Sequence, residues 1–483
     1  MQDYAMLKIV DANPGIVSEL SEYFTFEVPG AKFMPAVKRR QWDGKIRMLN
    51  KMTGEINAGL YWAIKRFAME RGIGIKVEEG PYGFPYEQNK INHMQTMKWL
   101  KTLDLPFEAR DYQYEAFTHG IENKRSILIS PTGSGKSFVI YLLMRWFLEN
   151  DGKKLLLIVP TTSLVEQMYK DFEDYGFDVE NKVHRIYSGK DKETDKRIII
   201  STWQSIYKLR NDWFLDFGCI IGDEVHGFKS KSLSSIMNKA VNAEYRFGTT
   251  GTLDGTQVHK LVLEGLFGPV KRVVTTSELQ KKKTLAELDI DILHLEYSKE
   301  EKESVKNATY QEEIDFLVRN DKRNKFIRNL AASLDGNTLV LFNLVEKHGK
   351  VLRDLIEEKL EGRRLFYVSG ETKTTDREQI RKIVERQTNA VVLASLGTFS
   401  TGINIRNIHN IIFASPSKSQ IRVLQSIGRG LRVSDDGRTT KLFDIVDDLR
   451  SDSKPNFTLR HGAERVKIYN SEKFPHRLNR VKL

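Results

Sequence analysis

An α/β protein with two parallel-sheet lobes, a small N-terminal α+β domain and a short basic C-terminal extension is what this 483-residue sequence predicts. Apolar strands alternate with amphipathic helices from Phe107 to about Val274, and again from about Asp291 to Asp448. That alternation builds parallel sheets covered by helices on both faces. Only the first run carries a glycine-rich phosphate loop, so the two lobes share one nucleotide. The length also exceeds a single core, since cores stop growing near ~250–300 residues. The division that follows is 1–100 for the N-terminal domain, 101–280 for the first lobe, 281–450 for the second and 451–483 for the extension.

Composition narrows the function classes. A hydrophobic fraction of 40% and a charged fraction of 29% are ordinary for a globular protein, and no apolar run approaches the ~20 residues that span a bilayer. The segment Met1–Val10 has acidic Asp3 and no basic flank before an apolar core, so it does not read as a secretion signal and a cytoplasmic protein is expected. The single cysteine, Cys219, excludes an internal disulfide and thiolate-rich zinc sites; within the apolar run Phe217–Ile221 it reads as a small buried hydrophobe. A net charge of +12 points to a polyanionic partner, because Lys and Arg gain by displacing counterions from phosphates.

In the N-terminal domain a helix is expected at Tyr61–Arg71. The stretch Lys38-Arg39-Arg40-Gln41-Trp42-Asp43-Gly44-Lys45-Ile46-Arg47 is the most unusual: six basic residues between Lys38 and Lys51 face one acid around a Trp and a Gly turn. It suits a nucleic-acid surface built from Lys38, Arg39, Arg40, Trp42, Lys45 and Arg47. It equally suits a solvated hairpin whose Trp packs on the core.

The first lobe is organised around Ile127-Leu-Ile-Ser-Pro-Thr-Gly-Ser-Gly-Lys-Ser137, an apolar strand that stops at a small-residue loop. Backbone N–H groups must curl around phosphate oxygens, and a large side chain would block them. Pro131, Thr132, Gly133, Ser134 and Gly135 form that cradle. Lys136 reaches the β- and γ-phosphates, Ser137 offers its hydroxyl to Mg²⁺, and a helix over Phe138–Phe147 places its N-terminus beneath the phosphates. Further strands are expected at Lys154–Val159, Arg197–Ser201, Gly218–Gly222 and Arg246–Thr249. About ninety residues after the loop, Cys219-Ile-Ile-Gly-Asp223-Glu224-Val-His226 ends a buried strand in two adjacent acids, which is costly without a cation. Asp223 would hold Mg²⁺, and Glu224 would orient and deprotonate the attacking water. His226 is expected to link the site to the second lobe.

The charged tract Leu279–Thr284 reads as a linker. In the second lobe strands are expected at Asn337–Phe342, Leu365–Val368, Ala390–Ala394, Asn410–Ala414 and Lys441–Ile445. Gln425-Ser-Ile-Gly-Arg429-Gly-Leu-Arg432 places two arginines three apart on one helix face, a spacing suited to arginine fingers that stabilise charge developing on the γ-phosphate. From Arg450 to Leu483 nine Lys/Arg face three Asp/Glu, half of the whole-chain excess. That tail is a second candidate nucleic-acid surface or merely a basic end.

Over residues 107–450 these motifs resemble superfamily 2 helicases and translocases, whose fold is two RecA-like lobes around one ATP. Arg110-Asp111-Tyr112-Gln113 is similar to the adenine-reading motif, with Arg110 and Gln113 at the base. Ser130–Ser137 is similar to the phosphate loop, including the Ser tolerated at its first position, and Asp223–His226 to the DExH box. Thr250-Gly251-Thr252 resembles the motif that couples hydrolysis to movement. Val159-Pro160-Thr161-Thr162-Ser163 and Thr202-Trp203-Gln204 resemble first-lobe strand contacts, through Pro160, Thr161 and Thr202. Ser400-Thr401-Gly402-Ile403-Asn404 resembles the second-lobe motif touching strand and ATP, through Thr401 and Gly402; Gln425, Arg429 and Arg432 fall on the finger motif.

The whole chain resembles the UvsW family of T-even bacteriophage recombination helicases, which is functionally similar to RecG. Gln41–Arg47, Thr309-Tyr310-Gln311-Glu312-Glu313-Ile314, Arg460-His461-Gly462-Ala463-Glu464-Arg465 and Glu472-Lys473-Phe474 carry that likeness outside the motor. The resemblance implies ATP and Mg²⁺ as cofactors and ATP-driven remodelling of branched DNA: Holliday-junction migration, fork regression and removal of R-loops and D-loops in recombination, repair and replication. It also implies branched and single-stranded DNA and RNA–DNA hybrids as partners, with phage recombination and single-strand-binding proteins, in the cytoplasm of an infected bacterium and away from membranes. The motor motifs alone equally fit an RNA helicase or a restriction-type translocase. An ATP-switched annealing or clamp protein is the non-enzyme reading, against which Glu224 and Arg429 argue. No strand-separating wedge is visible in the sequence.

Overall fold

The computed structural model describes all 483 residues except 29, 86, 87, 188, 229, 252, 254–256, 283–286, 403, 404, 406, 416–438, 452 and 453. Two compact units result, one from residues 1–130 and 135–273, the other from residues 131–134 and 274–483. Among the described residues no helix is long and apolar enough to cross a membrane.

The first unit opens with β1 (Met6–Lys8), β2 (Thr25–Glu27), β3 (Lys45–Arg47) and β4 (Glu55–Asn57), which form two antiparallel ladders, β1 with β4 and β2 with β3. The helices Pro14–Tyr23 and Tyr61–Glu70 supply Leu20, Ile64 and Phe67 to a small core with Phe24, Ile56 and Leu60. This core continues into the first lobe, because Leu261 of the helix Gln257–Phe267 belongs to it. The fit there is backbone on backbone: a Cβ on Gly59 would lie 2.0 Å from the Glu264 carbonyl oxygen. Tyr4 N–H donates to the Val241 carbonyl (3.1 Å), and Asn57 Nδ2 to Asn238 Oδ1 (2.9 Å). The N-terminal domain and the first lobe are therefore one packed body.

The first-lobe sheet contains β5 (Arg125–Ile129), β6 (Lys154–Val159), β7 (Val183–Ile186), β8 (Ile198–Thr202), β9 (Phe217–Asp223), β10 (Tyr245–Thr250) and β11 (Val270–Arg272) in the order β11-β5-β10-β9-β6-β8-β7, with every pairing parallel. Its strands are apolar at successive positions because both faces are covered. Leu155, Leu157 and Val159 enter one core with Phe138 and Leu142; Leu156 and Ile158 enter the other with Phe214 and Leu266. Cys219 is a free, fully buried thiol, and burial pushes its pKa well up, as suits an unreactive packing residue. The edge strands β7 and β11 have no counterpart in the expected set.

The second unit has β12 (Leu288–Glu296), β13 (Thr338–Phe342), β14 (Leu365–Val368), β15 (Val391–Ser395), β16 (Asn410–Phe413), β17 (Thr440–Asp448) and β18 (His476–Lys482), ordered β14-β15-β13-β16-β17-β12-β18 and again all parallel. The first half of the tract read as a linker, Leu279–Lys281, ends a capped helix, Thr276–Lys281, with Thr275 and Glu278 forming its capping box; residues 283 and 284 lie outside the described residues.

The basic C-terminal stretch folds into this unit. Its helix Phe457–Ser471 is capped by buried Glu313, whose carboxylate accepts from the N–H groups of Phe457 (2.9 Å) and Thr458 (2.7 Å). The same helix delivers Arg465, fully buried, to Asp444 on β17, at 2.9 Å from Nε and 2.7 Å from Nη2. Tyr469 donates to the same carboxylate at 2.8 Å. Strand β18 then pairs with β12, and its Arg477 donates to Asp291 (2.8 Å). Arg450 likewise pairs with Asp448 (2.7 Å), so at least three of the nine basic residues meet carboxylates of this unit.

Removing one partner of a buried pair leaves a bare charge, a loss of about 3–5 kcal/mol. Arg465→Ala should therefore lower the thermal midpoint of the second unit sharply, whereas Arg460→Ala, an exposed change on the same helix, should leave it within about 0.5 kcal/mol of wild type. Calorimetry on the full chain checks this; equal midpoints would contradict the assignment.

Candidate ATP-binding site

Three neighbouring strands bring the first-lobe motifs to one edge of the sheet. Strand β10 lies between β5 and β9, in a register that pairs Thr250 with Ile129 and Thr249 with Asp223. The phosphate loop, the acid pair and Thr250 therefore share the carboxyl end, where ligands of open α/β sheets bind.

The loop follows β5 and leads into the helix Lys136–Asn150. Gly133 (φ 84°) and Gly135 (φ 82°) are both left-handed, a conformation other residues resist. A Cβ on Gly135 would also lie 2.4 Å from Gln113 Nε2, so the residue expected at the base is packed against the cradle. Gln113 is buried, and its Oε1 accepts from the Arg110 N–H at 3.0 Å, fixing the start of the helix Asp111–Asn123. Arg110 Nη1 donates to the Tyr112 hydroxyl at 2.9 Å. Pro131 and Thr132 are half-buried, and the Ser134 N–H donates back to the Pro131 carbonyl at 3.2 Å, closing the turn. Lys136 Nζ donates to the Ser130 carbonyl (3.3 Å) and lies 3.5 Å from Glu224 Oε1. Ser137 Oγ is 2.9 Å from the Tyr175 hydroxyl, a partner that sequence reasoning missed because Tyr175 belongs to no motif.

Asp223 is 4% exposed. Burial, with the neighbouring charge of Glu224, raises its pKa to about 6; Lys136 and the hydroxyl of Thr249, which donates to Oδ1 at 2.6 Å, offset part of that rise. Glu224 sits at φ 49°, a left-handed conformation in a non-glycine residue at the end of a strand. That kink turns its carboxylate back toward the loop, where Lys136 meets one oxygen and His226 Nδ1 lies 3.3 Å from the other. His226 Nδ1 is also 2.6 Å from Thr250 Oγ1, so the acid pair communicates with the end of β10 inside this lobe.

Among the described residues no group of three or more His, Cys, Asp or Glu forms a ready metal cage. A cation here would take oxygens from Asp223 and Ser137 and fill its remaining positions with phosphate and water, which is how Mg²⁺ is usually held.

The other expected contacts separate into distinct groups. Thr161 caps the helix Thr162–Asp174 with its hydroxyl, which accepts from the Leu164 N–H (3.3 Å). Gln204 Nε2 donates to the Pro160 carbonyl (3.2 Å), joining the two strand-contact motifs at the ends of adjacent β6 and β8. Thr202 is only 5% exposed and its hydroxyl bonds Ser205 (2.9 Å). Lys38, Arg39, Arg40, Lys45 and Arg47 are all exposed, Arg47 in an ion pair with Asp43. Trp42 is half-buried, and its indole N–H donates to the Lys45 carbonyl (3.0 Å), propping the turn. Thr401 and Gly402 lie in the helix Leu396–Gly402, whose end has no described side chains. Gln425, Arg429 and Arg432 lie outside the described residues.

Comparison with known proteins covers the whole chain. Residues 1–78 match the N-terminal domain of DNA helicase UvsW, 106–255 the res subunit of type III restriction enzymes, and 321–434 the conserved C-terminal helicase domain. The ATP-dependent DNA helicase uvsW of Enterobacteria phage T4 is 34% identical over 100% of this chain and 98% of its own length. A DNA 3'-5' translocase, XPB2, of Sulfurisphaera tokodaii is 25% identical over 88% of this chain and 95% of its own. The crystal structure of T4 UvsW aligns with a TM-score of 0.53 at 33% identity, covering 99% of this chain and 98% of that one. A DNA-bound type ISP restriction-modification enzyme, LlaBIII, shares the fold alone, with a TM-score of 0.58 at 17% identity over 78% of this chain and 32% of its own. On its full-length likeness to a T4 helicase and its N-terminal domain match, the chain belongs to the UvsW family of ATP-dependent DNA helicases.

Proposed function

We propose that this helicase remodels branched DNA, migrating Holliday junctions, regressing forks and unwinding R-loops and D-loops, with its first-lobe site hydrolysing ATP. The observation that carries the branch reading is the basic hairpin of the N-terminal domain, packed into one body with the ATP-binding lobe. Motor contacts to one strand's phosphates cannot distinguish a junction from plain duplex, so a second surface must do so. A surface fixed to the motor lobe would hold a duplex arm while ATP turnover moves the strand.

In this reading Lys136 leaves the Ser130 carbonyl for the β- and γ-phosphates, cradled by residues 131–135. Gln113 and Arg110 meet the base. Glu224, steered by Lys136 and His226, orients the attacking water and takes its proton. Thr250 senses that event through His226. Asp223 and Ser137 would hold Mg²⁺, which supplies Lewis-acid stabilisation of the phosphate oxygens. The buried Asp223 carboxyl, held up to about 6, fits that partner, because a divalent charge offsets the burial that raises it. The roles of Gln425, Arg429 and Arg432 as γ-phosphate sensor and fingers, and of Thr401 and Gly402, rest on the sequence motifs alone.

Turnover should vanish in Lys136→Ala and Glu224→Gln, but Glu224→Gln should still bind ATP, since its ligand contacts survive. Arg429→Ala should lose on the order of 10³-fold in rate. Nucleotide binding by calorimetry beside steady-state hydrolysis separates these effects; a Glu224→Gln enzyme that hydrolyses at the wild-type rate rules out Glu224 as the base.

The branch reading predicts that forked and four-way DNA stimulate ATPase more than linear duplex, single strands or matched RNA at one salt concentration. Replacing Lys38, Arg39, Arg40 and Lys45 with Ala should weaken junction binding and flatten its log–log salt slope by roughly one unit for each phosphate no longer neutralised. Arg47, already paired with Asp43, should matter least. Best stimulation by RNA or linear duplex, or an unchanged salt slope, would move the reading elsewhere.

A further inference from the structure

The tip of the hairpin between β2 and β3 carries a feature that the basic residues do not explain. Phe33 is 69% exposed and Met34 38%, side by side in the short helical turn Ala31–Phe33 and the residue after it. Exposing these side chains forgoes part of the stabilisation that burying them would give. Phe33 is the most exposed aromatic side chain among the described residues.

The tip is also a built structure. The Val28 N–H donates to the Gly44 carbonyl (2.8 Å), and the Gln41 N–H to the Ala36 carbonyl (2.9 Å), so the turn at 41–44 is stitched to the segment that bears Phe33. Gly44, at φ 79°, packs so closely that a Cβ would lie 2.8 Å from the Ala31 Cβ. Below it the β2–β3 ladder pairs Thr25 with Arg47 and Glu27 with Lys45. The exposed ring is thus held out on a stiff base.

Its surroundings have one sign of charge. Lys32 Nζ lies 5.2 Å from the Phe33 ring centroid, and Lys38, Arg39 and Arg40 are exposed on the same excursion. Asp43, the one acid between Val28 and Gly44, is occupied by Arg47. An apolar ring with an ammonium group beside it, on a segment rich in exposed cations, has a chemical match in DNA, where flat base faces lie among phosphates.

We propose that Phe33, backed by Met34, is a base-stacking site that receives the terminal or unpaired base at a DNA branch point, while Lys32, Lys38, Arg39 and Arg40 hold the phosphates of the flanking arms. The proposal rests on the branched-DNA reading above and adds its contact to bases. Continuous duplex presents no open base face, so the stacking applies only where pairing is interrupted. That would give branch selectivity to a surface whose cations alone read only phosphate.

The test uses the full-length protein with a forked DNA carrying 2-aminopurine at the branch, and a linear duplex of equal length. Phe33→Ala should reduce the ratio of fork to linear affinity about tenfold, abolish the fluorescence change at the branch, and leave the salt slope as in wild type, because stacking releases no counterions. Phe33→Trp should restore both signals. A Phe33→Ala protein with wild-type fork preference and fluorescence overturns the stacking site alone. Equal loss of fork and linear affinity also overturns it, and so does a lowered melting temperature, since either makes the ring a general or structural element. Wild-type protein that shows no preference for forks removes the branched-DNA reading and the stacking site together.

Discussion

A carboxylate buried at the end of a strand governs the architecture of the first lobe. Asp223 is 4% exposed, and burial together with Glu224 raises its pKa to about 6. Such a group destabilises the folded state whenever it is ionised, unless a cation or donors compensate. The lobe brings compensation from both neighbouring strands. Thr249, in register on β10, donates to Asp223, and Lys136, at the end of the loop that follows β5, supplies the positive charge. The left-handed kink at Glu224 then aims the second acid at Lys136, keeping both carboxylates in reach of one ammonium group. On the proposed reading the site would be costly when empty and favourable when filled, as suits a motor that takes up and releases nucleotide each cycle.

The hairpin extends this logic to DNA. Because the N-terminal core runs into the helix Gln257–Phe267, the hairpin is fixed to the first lobe, which carries the phosphate-loop motif. Electrostatic attraction by Lys38, Arg39 and Arg40 is long-ranged and indifferent to sequence and shape. Contact through Phe33 is short-ranged and needs an open base. On the proposed reading, the two combined on one stiff tip would find DNA by charge and stop where pairing is broken.

Much of this was legible in the sequence for a physical reason. Buried parallel strands need continuous apolar runs, so Lys154–Val159 is readable residue for residue, and a phosphate loop cannot be built without residues such as Gly133 and Gly135. Three of the four edge strands escape the same reading; the apolar Leu365–Val368 is the exception. His476–Lys482 is polar and basic at most positions and looks like a tail; it becomes β18 because its backbone pairs with β12 and its Arg477 finds Asp291. Val183–Ile186 and Val270–Arg272 are too short to show a period. Tyr175, which reaches Ser137, and Phe33, which gives up burial, were invisible because their meaning depends on what surrounds them in space. Trp42 was open to two readings; half-buried, with its indole N–H on the Lys45 carbonyl, it fits both a structural turn and a nucleic-acid surface.

The most direct measurement is the pH dependence of stability of wild type against Asp223→Asn without nucleotide. The folded state keeps the Asp223 proton up to about pH 6, whereas an unfolded Asp releases it near ~4. Between those values the folded state binds more protons, so wild-type stability must fall as pH rises through that window, and no such fall can come from Asn. The account predicts that the melting temperature of Asp223→Asn pulls ahead of wild type from about pH 4 to about pH 6 and keeps a constant lead above it. Parallel melting curves across that range would contradict the claim that this buried carboxylate is held in waiting for a cation and nucleotide.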